Sequence, residues 1–198
     1  MAWDTERTKR LLLEAAVVEF AERGLEGASM AAIAERAGIN KERLYRYFGD
    51  KDSLFDTVLA GEMNRLADAV DWPGGQEFQH IGAYAGRLFD YHTEHPHLVR
   101  LLLQEGFTGR AGDAAVRGAK YRAKVEVIEA AQREGHISDD IPADHLLFML
   151  IGLAAWWSSV PQLATFLSGR PAQSEDEISR RRSSVVLAAE RLALRHGR

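Results

Sequence analysis

Residues 29–48 read SMAAIAERAGINKERLYRYF, and the reading of this stretch decides the fold. Met30, Ile33, Ala34 and Ala37 fall at i, i+3, i+4 and i+7, which gives a short helix one apolar face. Ser29 stands where an N-cap belongs, its hydroxyl oxygen placed to accept from the first turn, and Gly38 stops the pattern. A second pattern follows at once. Asn40 caps it, Leu44 and Phe48 share a face one turn apart, and Gly49 is expected to end it in a left-handed conformation. Two short helices joined by a four-residue turn containing glycine are the layout of a helix-turn-helix. Lys41, Glu42, Arg43, Tyr45 and Arg46 are left pointing outward, and such groups meet phosphates and base edges.

Helical periodicity continues on both sides, and no alternation of period two lasts long enough to propose a sheet, so the chain reads as all-α. Upstream, Thr5 to Arg23 carries Leu12, Ala15, Ala16 and Phe20 on one side and ends at Gly24. That face can roof the two short helices. Downstream, Asp50 caps KDSLFDTVLAGEMNRLADAV, whose buried stripe is Leu54, Val58, Leu59 and Leu66. The run WPGG at 72–75 breaks this helix and sets the expected domain boundary.

Further on, Ile81, Ala85, Leu88 and Phe89 sit at helical spacing, and His95-Pro96 interrupts before LVRLLLQEGF. An amphipathic helix is predicted from about Ala114 to Glu134, after a loop at 108–112. Pro142 suits the first turn of ADHLLFMLIGLAAWW, a helix apolar nearly all round, which a soluble protein tolerates only when both faces are buried. After a loop near 168–173 the chain runs into EDEISRRRSSVVLAAERLALRHG, with Ile178, Val185 and Leu192 as its stripe. The apolar helix and this one are the expected dimer interface. Arg180, Arg181 and Arg182 read as a solvated face.

Composition narrows the classes of function. With 46% hydrophobic and 27% charged residues in 198, the chain has enough apolar content for one sizeable core or two small ones. The absence of cysteine removes disulfides, thiolate metal sites and cysteine nucleophiles. The net charge of -4 argues against a wholly basic surface, but DNA contact needs positive charge only along one strip, and Lys41, Arg43, Arg46 and Lys51 supply it. The apolar stretch 146–157 is too short to span a bilayer and MAWDTERTKR lacks a secretory apolar segment, so a cytoplasmic location is expected. No GxSxG elbow, HExxH pair or phosphate-cradling glycine loop occurs, and the chain is not expected to be an enzyme or to need a cofactor. His92, His95 and His97 lie close together, but Pro96 splits them across a helix junction, and no metal is expected.

The segment LLLEAAVVEFAERGLEGASMAAIAERAGINKERLYRYFGDKDSLFDTVL resembles the N-terminal domain of TetR/AcrR-type transcriptional repressors. The likeness runs over residues 6–66 through AxxxFxxxG in the first helix, IAxxAG in the second, LYxxF in the third and the lysine opening the fourth. It implies a three-helix DNA-binding domain at 6–66, with its motif at 29–48, followed by a helical ligand-binding and dimerisation domain at 76–198. It further implies a homodimer that binds a palindromic DNA operator and releases it when a small-molecule effector enters the second domain.

Carried over position by position, the resemblance makes Ser29, Tyr47 and Lys51 phosphate contacts, which set register. Lys41, Glu42 and Arg43 occupy early turns that face base edges, where Arg43 or Lys41 can donate to guanine and Glu42 can accept from cytosine. Tyr45 matches a tyrosine that contacts the backbone and thymine methyls. The commonest pattern has glycine and threonine where Glu42 and Arg43 stand here, so Glu42 either reads a base or pairs with Arg43 or Arg46 on its own helix. Among the aromatics beyond residue 76, Phe89, Phe107, Tyr121, Phe148 and Trp156 are the candidate lining of an effector site, with His92 or Tyr121 as orienting polar groups.

Overall fold

The computed structural model describes residues 2–70, 81–109, 114–171 and 173–194, and among them there are ten helices and no strand. These are α1 (Ala2–Gly27), α2 (Met30–Ala37), α3 (Lys41–Phe48), α4 (Lys51–Ala69), α5 (Ile81–Glu94), α6 (Pro96–Thr108), α7 (Ala114–Arg133), α8 (Ala143–Ser159), α9 (Pro161–Ser168) and α10 (Glu175–Ala193). The all-α expectation holds. The run at 72–75 and the start of the expected second domain at 76 lie outside the described residues.

The helices fall into two compact units. The first holds α1, α2, α3, α4 as far as Arg65, and α6 from His97; the second holds α5 and α7 to α10. The placement of α6 differs from a simple division at residue 76, and the reason is chemical. His97 Nε2 lies 2.9 Å from Glu62 Oε2, a carboxylate buried in α4 that also takes Arg65. Leu98, Val99 and Leu101 of the same helix are also buried.

In the first unit, Leu12, Ala15, Ala16 and Phe20 of α1 are buried as their spacing requires, together with Ile33, Ala34, Leu44, Leu54, Val58 and Leu59. Phe20 and Phe55 meet edge to face at 5.2 Å, a geometry that adds to the 1.5–3 kcal/mol or so gained by burying each large apolar side chain. Phe55 replaces the expected Leu66, which is only half-buried. Gly24 breaks α1 where predicted, with φ 70 and ψ 174, but one more turn follows before Ala28. A Cβ at Gly24 would stand 2.9 Å from the Gln104 side chain of α6, a second reason for glycine there. Glu19, buried in α1, takes Arg23 and Arg36, so an ion pair joins α1 to α2.

The second unit is organised around α5, which packs on α10 and α8. Gly82, Gly86 and Asp90 recur every fourth residue and meet Glu190, Val186 and Arg182 in antiparallel order. Cβ atoms built at Gly82 and Gly86 would approach Glu190 Cγ to 2.6 Å and Val186 Cγ2 to 3.0 Å, so the small residues let the helix axes close up. Of the arginine run, Arg180 and Arg182 keep the solvated position expected of them, whereas Arg181 does not. Arg181 is buried against the Trp157 ring at 5.3 Å and bonds Glu177, Arg180 also takes Glu177, and Arg182 takes Asp90.

Helix α8 buries Leu146, Leu147, Leu150 and Ala154, but its other face is bare: Phe148 is 78% exposed, with Met149 and Trp156 exposed beside it. Pro142 is the residue before α8 rather than part of its first turn. After an 83° bend comes α9, which the periodicity did not reveal; Pro161 opens it, and Phe166 and Leu167 project from it. No single helix among the described residues is long and apolar enough to cross a membrane.

Candidate nucleic-acid interface

The turn between α2 and α3 is built by hydrogen bonds that the sequence specifies. Ser29 Oγ accepts from the Ala32 N–H at 3.1 Å and starts α2. Gly38 ends it at φ 66, ψ 27; its N–H donates to Glu35 O, and the Ile39 N–H reaches back to Ala34 O at 3.0 Å. This arrangement satisfies carbonyls that the helix end would otherwise orphan, and it needs the left-handed residue that glycine provides. Asn40 Oδ1 then accepts from the Glu42 N–H at 2.7 Å and starts α3. Gly49 closes α3 with φ 74 as expected, although its ψ of -119 lies outside the left-handed helical basin.

These caps fix how α3 is presented. Leu44 is fully buried, Tyr47 and Phe48 are half-buried, and Lys41, Glu42, Arg43, Tyr45 and Arg46 are exposed. Cations lie over both tyrosines: Lys41 Nζ is 5.6 Å from the Tyr45 ring and Arg46 Cζ is 5.3 Å from the Tyr47 ring. Neither Glu42 nor Arg43 has a side-chain partner among the described residues, so the helical ion pair that would have occupied Glu42 is not formed. Both remain available for an external ligand.

Two positions carry more than the sequence reading gave them. Ser29 uses one lone pair of its hydroxyl on the α2 cap, which leaves its O–H to donate. Lys51, at the start of α4, places Nζ 3.3 Å from both Glu26 O and Ala28 O, so its ammonium satisfies carbonyls at the end of α1. Asp50 caps α4 as expected, accepting from the Ser53 N–H at 2.8 Å. One residue was missed altogether. Lys9 of α1 lies with Nζ 5.9 Å from the centre of the Tyr47 ring. Periodicity within α1 could show only that Lys9 borders the buried face, not which residue of α3 it meets.

The candidate effector residues are distributed over several helices. Phe89 and His92 are buried in the second unit, and His92 Nδ1 has no hydrogen-bond partner among the described residues. Tyr121 is partly exposed on α7, and Phe148 and Trp156 lie on the bare face of α8. Phe107 belongs to the first unit, and its side chain is strongly exposed.

Comparison with known proteins agrees with this architecture. Residues 12–58 match the profile described as bacterial regulatory proteins, tetR family, and residues 80–191 match the tetracyclin repressor-like C-terminal domain. The chain is similar to the HTH-type transcriptional repressor SCO4008 of Streptomyces coelicolor, with 39% identity over 96% of this chain and 97% of that protein. It is 28% identical to the HTH-type transcriptional repressor NicS of Pseudomonas putida over 80% of this chain and 79% of that one. The crystal structure of SCO4942 from Streptomyces coelicolor superposes with a TM-score of 0.81, at 28% identity, over 96% of this chain and 99% of that one. A helix-turn-helix capped and presented in this way, with both profiles matched in order along one chain, places the protein in the TetR family of DNA-binding transcriptional regulators.

Proposed function

We propose that the protein is a homodimeric repressor that binds a palindromic operator through α3 and lets it go when a small molecule occupies the second unit. The observation that carries this reading is the exposed face of α3, where Lys41, Glu42, Arg43, Tyr45 and Arg46 stand free of intrachain ion pairs around a buried Leu44. Lys41 and Arg43 suit guanine, Glu42 suits cytosine, and Ser29, Tyr47 and the remaining N–H of Lys51 suit phosphates. Dimerisation is supported by the bare apolar face that Phe148, Met149 and Trp156 form on α8, continued by Phe166 and Leu167 on α9. A symmetric dimer sets two recognition helices about 34–36 Å apart, one turn of the duplex.

For the effector, the second unit offers buried Phe89 and His92, the latter a neutral imidazole with an unused nitrogen. An effector acts only through differential affinity for the DNA-competent and incompetent states, so DNA and effector weaken each other equally. The test is a gel shift with the promoter region beside the protein's own gene, run across a salt series and combined with sedimentation. The expected result is a dimer that binds with steep salt dependence. A protein that shows no salt-dependent binding to any duplex would sink the proposal.

A further inference from the structure

The face around Tyr47 is not confined to the helix-turn-helix. Lys9 reaches it from α1, and Arg46 lies over the same ring, so two cations flank one phenol. Lys9 is set there by its own helix. Leu12 and Ala16, three and seven residues on, are buried, which puts Lys9 at the rim of the buried face with its ammonium over the aromatic ring.

Among the described residues, the interactions that offset this clustering of charge are weak. Arg46 has no ion-pair partner among the described residues. Lys9 has Glu6 at 3.2 Å on its own helix, but both side chains are exposed, and such a pair contributes about 0–1 kcal/mol. An exposed cation–π contact adds only about 0.5–1 kcal/mol. Two like charges at one ring gain most from an anion between them, and a phosphodiester beside the Tyr47 hydroxyl is such an anion.

We propose that Lys9 is a phosphate-binding residue of the DNA interface, exchanging the Glu6 carboxylate for a backbone phosphate on binding, so that α1 extends the footprint of each recognition helix. The assignment rests on the DNA-binding reading above. It makes Lys9 a residue that sets register and affinity without reading sequence.

The test is fluorescence anisotropy of the full-length protein on a labelled duplex of arbitrary sequence across a salt series. Lys9→Gln is compared with Lys9→Arg, Glu6→Gln and a distant charge control, Arg133→Gln, whose side chain is exposed on α7. Circular dichroism melting confirms that each variant is folded. Lys9→Gln is expected to lower the slope of log K against log salt by about 0.9 per protomer and to weaken binding about five- to tenfold at 0.1 M salt. Lys9→Arg keeps the wild-type slope, Glu6→Gln binds more tightly, and Arg133→Gln matches wild type. If Lys9→Gln keeps the wild-type slope, Lys9 touches no phosphate and the inference is wrong. If the wild-type protein itself shows no salt-dependent binding, the DNA-binding reading fails and takes this assignment with it.

Discussion

Arg182 donates from Nε to both carboxylate oxygens of Asp90, each at 2.8 Å, and closes the seam in which Gly82 and Gly86 let α5 lie against α10. Both partners are about two-fifths exposed, so solvent screens the pair and Asp90→Asn is expected to cost less than about 1 kcal/mol. Gly86→Leu is different. Its Cβ alone would stand 3.0 Å from Val186 Cγ2 and from Arg182 Nη2, and the further carbons overpack the seam by about 1–3 kcal/mol. Urea midpoints of the two variants check the order; a larger loss for Asp90→Asn would show that charge, not close approach, holds these helices.

Lys51 serves carbonyls at the end of α1 as well as any phosphate. Lys51→Met is therefore expected to lower stability by about 1–2 kcal/mol, since hydrogen bonds from a charged donor are lost. It should also weaken binding to all DNA sequences alike. Melting and anisotropy on the same preparation separate the two losses.

Burial, and after it the neighbouring His95, pushes the His92 imidazole down to about 4. An unfolded histidine titrates near 6.5, so between these values the unfolded chain holds a proton that the folded one lacks. Stability contributed by neutral His92 is thus complete above pH 6.5 and falls as pH drops toward 4, by about 3 kcal/mol in total. His92→Phe removes the titrating group. Denaturation at the two ends of this window should show a shallower acid slope for the variant, and equal slopes would show that His92 does not titrate in this way.

The bare faces of α8 and α9 predict their own disruption. Phe148→Glu or Phe166→Glu places a carboxylate where an apolar contact between copies is expected, raising the dimer dissociation constant by roughly thirtyfold, the effect of losing about 2 kcal/mol at a buried aromatic anchor. Sedimentation equilibrium reads this directly, and dimers of wild-type strength in both variants would move the interface elsewhere.

Arg43 has no side-chain partner among the described residues and stands on the exposed side of α3. Arg43→Ala is expected to relax preference at one base pair per half-site, at a cost of about 1–3 kcal/mol on the preferred operator. An unchanged ranking of operator variants would assign the readout to Lys41 or Glu42.

What the sequence shows and what it hides divide along physical lines. Ser29, Gly38, Asn40 and Asp50 were legible because capping is local: donor and acceptor lie two to five residues apart. The division of α3 into buried Leu44 and an exposed charged face was legible for the same reason. Lys9 over Tyr47, Lys51 on Ala28 and His97 on Glu62 were not, because each joins helices whose mutual rotation no periodicity encodes. In the arginine run only Arg181 departs from the solvated face that composition suggests, because Glu177 on its own helix neutralises it and the Trp157 ring covers it. Helix α9 escaped because Pro161, which opens it, reads equally well as a break.

The glycine seam also sets a clock for biosynthesis. Asp90 and Arg182 are separated by 92 positions, and translation at about 5–20 residues per second leaves the glycine side of α5 uncovered for some 5–20 s while its counterpart is made. Over that interval the nascent second unit has α5 but no α10 to close on it. Chaperone dependence and sensitivity to premature termination should therefore concentrate in this unit, while α1, α2 and α3, whose contacts are mostly local, can settle as they are synthesised.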